Sequence, residues 1–154
     1  MQRLITKRAF TLVELIVVVG ILSLVITGML QLYIYTSAQA EMGGNKTSAI
    51  TEAQAKIEEI RNHDFDDIAI DYGAGGTPGN TFDLTLLSGK GVIDVDDSNP
   101  ELLVLEVAVS WRNKYSRVIG EDFDLDGQLD GGEDINGDGK LSSPITLMSM
   151  ITRR

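Results

Sequence analysis

The chain is 154 residues long and acidic, with 23 aspartates and glutamates against 13 lysines and arginines and a formal net charge of −10. That balance argues against nucleic acid or an anionic membrane surface as a partner of its soluble part. The absence of cysteine excludes a disulfide framework and a thiolate metal site, and the length provides for one compact domain once a membrane segment is set aside.

The first eight residues carry Arg3, Lys7 and Arg8 and no acid, whereas across residues 10–36 the only charged side chain is Glu14. At 1.5 Å per helical residue the apolar run reaches about 40 Å, enough for a hydrocarbon core of about 30 Å. The basic flank places the leading residues on the cytoplasmic side. A carboxylate near the centre of such a helix costs roughly 2.5–3.5 kcal/mol, and less near an edge. Glu14 therefore calls for a cation. A cut before Phe10 would supply one, as a new α-amino group close to Glu14.

Lys7-Arg8-Ala9 followed by Phe10-Thr11-Leu12-Val13-Glu14 resembles the cleavage and methylation signal of type IV prepilins and type II secretion pseudopilins. The resemblance implies a leader over residues 1–9 and cutting between Ala9 and Phe10 by a membrane prepilin peptidase. That enzyme is also the methyltransferase expected to methylate the Phe10 amine. Ala9 stands where those families usually have glycine. The resemblance further implies assembly with other pilin or pseudopilin subunits through Phe10 and Glu14. The chain would first sit in a bacterial inner membrane as a single-pass protein, its C-terminal domain outside the cytoplasm. It would then enter a periplasmic pseudopilus or a cell-surface pilus. The implied fold is α+β: one long N-terminal helix packed on a small antiparallel β-sheet.

Within that frame residues 10–36 read as the transmembrane and assembly helix and residues 37–64 as its amphipathic half. Tyr33 and Tyr35 stand where the helix would leave the bilayer, as an interfacial belt. Gly43-Gly44 is expected to interrupt the helix, at about 1 kcal/mol of lost propensity per glycine. Ile50, Ala53, Ile57 and Ile60 then mark one helical face, and Asn62-His63-Asp64 ends it. His63 reads as a surface or capping residue.

Residues 65–154 read as the sheet domain. Residues 71–80 are a loop, and their glycines form no phosphate cradle, since no strand precedes them and no helix with lysine follows. A strand is expected over residues 82–86, then a turn at 88–91, a strand over 92–95 and a turn at 96–100. Leu102–Arg112 is the strongest strand, with Leu103, Leu105, Val107, Val109 and Trp111 on one face; residues 145–152 give the last. Trp111 reads as core.

The acidic insert at residues 121–142 separates those last two strands. Asp122, Asp124 and Asp126 occupy positions 1, 3 and 5 of a calcium loop, Gly127 position 6 and Leu129 position 8. Gln128 offers its backbone carbonyl at 7, Asp130 stands at 9 and Glu133 at 12, where a bidentate carboxylate completes the shell. A second set, Asp134, Asn136, Asp138 and Gly139, repeats positions 1, 3, 5 and 6. It has Ser142 at 9 but Ile145 at 12, so it needs water or a borrowed carboxylate. The cofactor expected is Ca2+, serving as the staple that a cysteine-free domain lacks. Magnesium suits the loop less, because it resists dehydration and demands a stricter octahedron.

No nucleophile–base pair, Walker loop or histidine cluster occurs, so no enzymatic activity is assigned. The function expected is that of a minor pilin or minor pseudopilin, with type IV pilus and type II secretion both open. The alternative is a secreted soluble calcium-binding protein, cut by an ordinary signal peptidase after Ala40 in Ala38-Gln39-Ala40. Against it, the apolar region exceeds the 7–15 residues typical of a signal peptide, and Glu14 would lie within it.

Overall fold

The computed structural model describes residues 11–153. A single helix, α1, runs over Leu12–Arg61. Two compact units divide the chain after Glu41, so the first part of α1 and the unit that begins at Met42 are described separately.

Thr11 starts α1. Its hydroxyl accepts the Glu14 backbone N–H at 3.2 Å and its carbonyl accepts the Leu15 N–H at 3.1 Å. A threonine cap three residues ahead of a glutamate is the sequence pattern of a capping box. Through Glu41 no apolar side chain is buried, and the helix is long and apolar enough to cross a membrane. Its hydroxyls are satisfied internally: Ser23 Oγ donates to the Val19 carbonyl, Thr27 Oγ1 to Ser23 and Thr36 Oγ1 to Leu32. Such back-bonding lets a hydroxyl lie on an apolar helix without an unpaired donor.

The helix passes through Gly43-Gly44 without the expected interruption. Glycine weakens a helix but leaves its N–H and C=O ladder intact, unlike proline. Beyond Met42 the buried stripe is Ala49, Ala53, Ile57 and Ile60, so it starts one residue before the expected Ile50, which lies half-buried at the rim. The small residues Ala49 and Ala53 are fully buried, and the cluster they join includes Leu105, Val107 and Val109 of the sheet. α1 ends at Arg61, with Asn62 and His63 closing on the Glu59 and Ile60 carbonyls. A short helix, α2, follows over Phe65–Asp71 and buries Ile68. His63 meets the Tyr72 ring edge-on at 5.1 Å, at the surface.

The sheet has five antiparallel strands: β1 (Thr81–Asp83), β2 (Gly89–Asn99), β3 (Leu102–Arg112), β4 (Val118–Ile119) and β5 (Thr146–Thr152). β1 pairs β2, which pairs β3; β4 and β5 lie on the other side of β3. β3 is the centre, and Leu103, Leu105, Val107, Val109 and Trp111 all lie in the core, as their alternation predicts. Truncating a residue such as Leu105 in this position costs roughly 2–5 kcal/mol.

The larger differences from the expected strand boundaries are in β1 and β2. β1 stops at Asp83 rather than continuing through Leu86. The Glu52 carboxylate on α1 accepts the Thr85 N–H at 2.6 Å and the Leu86 N–H at 2.7 Å, so a side chain takes the donors a ladder would have used. β2 begins at Gly89 because Gly89, Lys90 and Gly91 already pair with Trp111, Ser110 and Val109 of β3, and Phe82 lies across Gly91 so closely that a Cβ there would fall 2.2 Å from the ring. β2 also continues to Asn99 through a register shift after Asp96, where a turn was expected. The two residues of β4 carry too little pattern to be read in sequence.

Candidate cation-binding loops

The insert leaves the sheet after β4 and returns at β5, and two features close its neck. Gly120 has φ +120°, and a Cβ there would lie 2.1 Å from the Ser110 hydroxyl, so only glycine passes. Glu121 and Ser142 then clasp each other. The Glu121 N–H donates to the Ser142 carbonyl at 2.9 Å, and the Ser142 N–H donates to Glu121 Oε2 at 2.8 Å.

In the first loop Asp122 is fully buried. Its Oδ1 accepts the Asp126 N–H and its Oδ2 the Gly127 N–H, both at 3.1 Å. Gly127 takes φ +79°, with Thr81 and Lys90 so close that a side chain would collide. Asp124 Oδ1 accepts the Asp126 N–H at 3.2 Å, and Asp126 Oδ1 accepts the Gln128 N–H at 2.7 Å. One carboxylate oxygen from each of Asp122, Asp124 and Asp126 lies within 4.8 Å of the others. That set does not extend to Asp130 or Glu133. Asp130 is exposed, while Glu133 is buried and accepts the Phe123 N–H at 2.7 Å and the Asp130 N–H at 3.1 Å. The Gln128 side chain donates to Asp126 Oδ2 at 3.2 Å.

The second loop repeats the bonds from positions 6, 5 and 7 to positions 1, 3 and 5, but not the one from position 5 to position 1. Asp134 Oδ2 accepts the Gly139 N–H at 3.0 Å, Asn136 Oδ1 the Asp138 N–H at 2.9 Å, and Asp138 Oδ1 the Lys140 N–H at 2.9 Å. Asn136 Nδ2 donates to Asp138 Oδ2 at 2.8 Å and to Ser142 Oγ at 3.0 Å. Lys140 anchors this loop to the sheet, reaching Asp94 at 2.5 Å and Glu106 at 3.2 Å. The bond to Asp94 is the main cause that holds its ammonium above the usual lysine range.

The electrostatics of the insert are one-sided. Glu121, Asp122 and Glu133 are all buried, and among the described residues none meets a lysine or arginine. Burial pushes the Asp122 carboxyl above the usual carboxylate range, with the Gly127 N–H opposing it and the Glu133 charge adding to it. In the second loop Asp134 Oδ1 has no solvent access and no hydrogen-bond partner among the described residues. All-oxygen and rich in carboxylates, with Asp122 and Glu133 buried and Asp124, Asp126 and Asp130 exposed, the first loop's donor set is of the kind that a hard divalent cation of oxygen preference takes.

Sequence reading missed Glu121, although a signal was present. Glu-Asp stands at 121–122 and again at 133–134, so each loop is preceded by a glutamate. At the other end of the chain, Ala9 and Phe10 lie outside the described residues. Glu14 is exposed on the first turn of α1, and among the described residues its carboxylate has no partner.

A family model described as the prokaryotic N-terminal methylation motif matches residues 6–30. That span holds Lys7, Arg8, Ala9, Phe10 and Glu14 and the first turns of the apolar helix. No curated protein and no solved structure matches the chain.

Proposed function

We propose, from the methylation motif at residues 6–30 and the pilin-like arrangement of one long helix and an antiparallel sheet, that the chain is a structural subunit of a pilus or pseudopilus. The observation that carries this reading is the motif leading directly into a helix with no buried apolar side chain in its first thirty residues, up to Glu41. Such a surface is at home in lipid before assembly and against other subunits' helices afterwards. A prepilin peptidase cuts after Ala9 and methylates Phe10, and the methylated amine keeps its charge. Glu14 then pairs with the Phe10 ammonium of an adjoining subunit and sets the axial register. The subunit is a minor pilin or pseudopilin whose folded unit faces outward, and it carries no catalytic role.

The same reading gives the first loop a calcium ion, held by Asp122, Asp124, Asp126, the Gln128 carbonyl, Asp130 and Glu133. The ion supplies positive charge where three carboxylates converge and closes the connection before β5, a place where a cysteine-free chain has no covalent staple. Its stabilisation follows RT ln(1 + [L]/Kd), roughly 2.7 kcal/mol at a hundredfold excess over Kd. Extracellular modules bind calcium at about 10⁻⁴–10⁻³ M, so outside the cytoplasm the loop would be substantially filled.

The test of assembly is Glu14→Ala expressed beside its partner subunits. It should be inserted and cleaved like the parent chain yet be depleted from sheared filaments. Equal incorporation of both chains would remove Glu14 from the assembly mechanism.

A further inference from the structure

We propose that the second loop binds a divalent cation of its own, with the Glu121 carboxylate standing in for the glutamate its sequence lacks. The proposal extends the calcium reading of the first loop to a second ion, but it stands on different residues and can fail without it.

Two observations carry it. The first is Asp134 Oδ1, an oxygen shut off from solvent with no donor among the described residues, on a half-buried side chain whose Oδ2 is already held by the Gly139 N–H. A carboxylate oxygen left without water or a donor is unfavourable, and a bound cation would supply the missing partner. The second is where Glu121 stands. In the first loop Glu133, at position 12, accepts the N–H of Asp130 at position 9, at 3.1 Å. In the second loop position 12 is Ile145, which offers no oxygen from its side chain. There Glu121 Oε2 accepts the N–H of Ser142, the position-9 residue, at 2.8 Å. Glu121 thus holds toward the second loop the relation that Glu133 holds toward the first. It is about nine-tenths buried, and among the described residues no lysine or arginine meets it.

The arrangement is reciprocal. The glutamate that precedes the first loop closes the second, and the glutamate that precedes the second closes the first. The liganding oxygens of the second site come from Asp134, Asn136, Asp138 and Glu121. With three carboxylates and one amide it has fewer charges than the first loop, so it takes the more weakly held ion.

The test uses the full chain in detergent micelles, labelled with 15N and titrated with calcium chloride alone. The Gly127 amide reports the first loop and the Gly139 amide the second, since each bonds to its loop's first aspartate. Both amides should shift with saturation, Gly139 at the higher calcium concentration. Glu121→Gln keeps an oxygen that can accept the Ser142 N–H and should raise the Gly139 midpoint roughly tenfold or more, with the Gly127 midpoint changed far less. Asp134→Asn, which retains the acceptor for Gly139, should do the same and guards against a defect peculiar to the neck. Saturation at Gly127 with no response at Gly139 would overturn the second site and leave the first loop's reading intact. A Gly139 midpoint unchanged in Glu121→Gln would overturn the borrowed carboxylate. A response at Gly139 alone would sink the calcium reading of the first loop while upholding this one.

Discussion

Glu14 and Asp122 pose one physical problem in opposite surroundings. Glu14 lies in an apolar helix with no partner among the described residues, and Asp122 is fully buried in an acidic loop beside Glu133. Neither meets a lysine or arginine among the described residues; the fold shuts Asp122 off from water, whereas Glu14, exposed in the single chain, would be shut off only in the proposed membrane or filament. The proposed remedies differ in source. Glu14 receives the terminal ammonium of a second subunit, so its cost is relieved only by assembly. Asp122 receives a dissolved ion, so its cost is relieved wherever calcium is plentiful. On this proposal each carboxylate makes the state of the subunit conditional, Glu14 on assembly and Asp122 on calcium.

The largest effect is expected at Glu14. In Glu14→Gln the helix loses its charge but keeps its length, so membrane insertion and cleavage should continue. Incorporation into filaments, measured by immunoblot of sheared fractions beside the parent chain, should fall by about tenfold or more, as expected when an ion pair worth more than about 1.4 kcal/mol is lost in lipid.

A sign reversal is expected at Asp122. Asp122→Asn keeps an acceptor for Asp126 and Gly127 and removes the buried charge. In chelator it should melt above the parent chain, and in millimolar calcium below it, each difference being on the order of 1 kcal/mol. Differential scanning fluorimetry of the full chain in detergent reads both arms. Destabilisation of equal size in the two conditions would mean that Asp122 is a plain structural acceptor.

Calcium removal from the parent chain should lower the melting temperature by a few degrees. At one to ten times Kd the ion contributes roughly 0.4–1.4 kcal/mol, and about 1 kcal/mol moves the midpoint of a domain this size by roughly 4 °C. Asp126→Ala should abolish that response. Smaller still is Lys140→Met, which cuts the tie to Asp94 and Glu106. These groups are substantially exposed, so the loss should be about 0.2–1 kcal/mol and should shrink in high salt.

What could be read in the sequence divides along the same line between local and distant causes. β3 was legible because five apolar residues alternate through the sheet centre, and the convergence of Asp122, Asp124 and Asp126 because their spacing is local. The end of β1 was not legible, since it depends on Glu52, more than thirty residues earlier, taking the Thr85 and Leu86 amides. The role of Glu121 was hidden for the same reason, because its partner Ser142 lies 21 positions away. Gly43-Gly44 misled in the other direction: a weak local propensity reads as a break, although the backbone ladder of α1 survives it. Thr11 was a missed local signal, a cap three residues ahead of Glu14.

Whether the methylation motif makes this chain an assembling subunit is decided by the mass of its mature N-terminal peptide recovered from native membranes. The result expected is a chain beginning at Phe10 with one methyl group on its amine. A mature chain beginning at Glu41, released from the membrane, would contradict it and leave a secreted calcium-binding domain in its place.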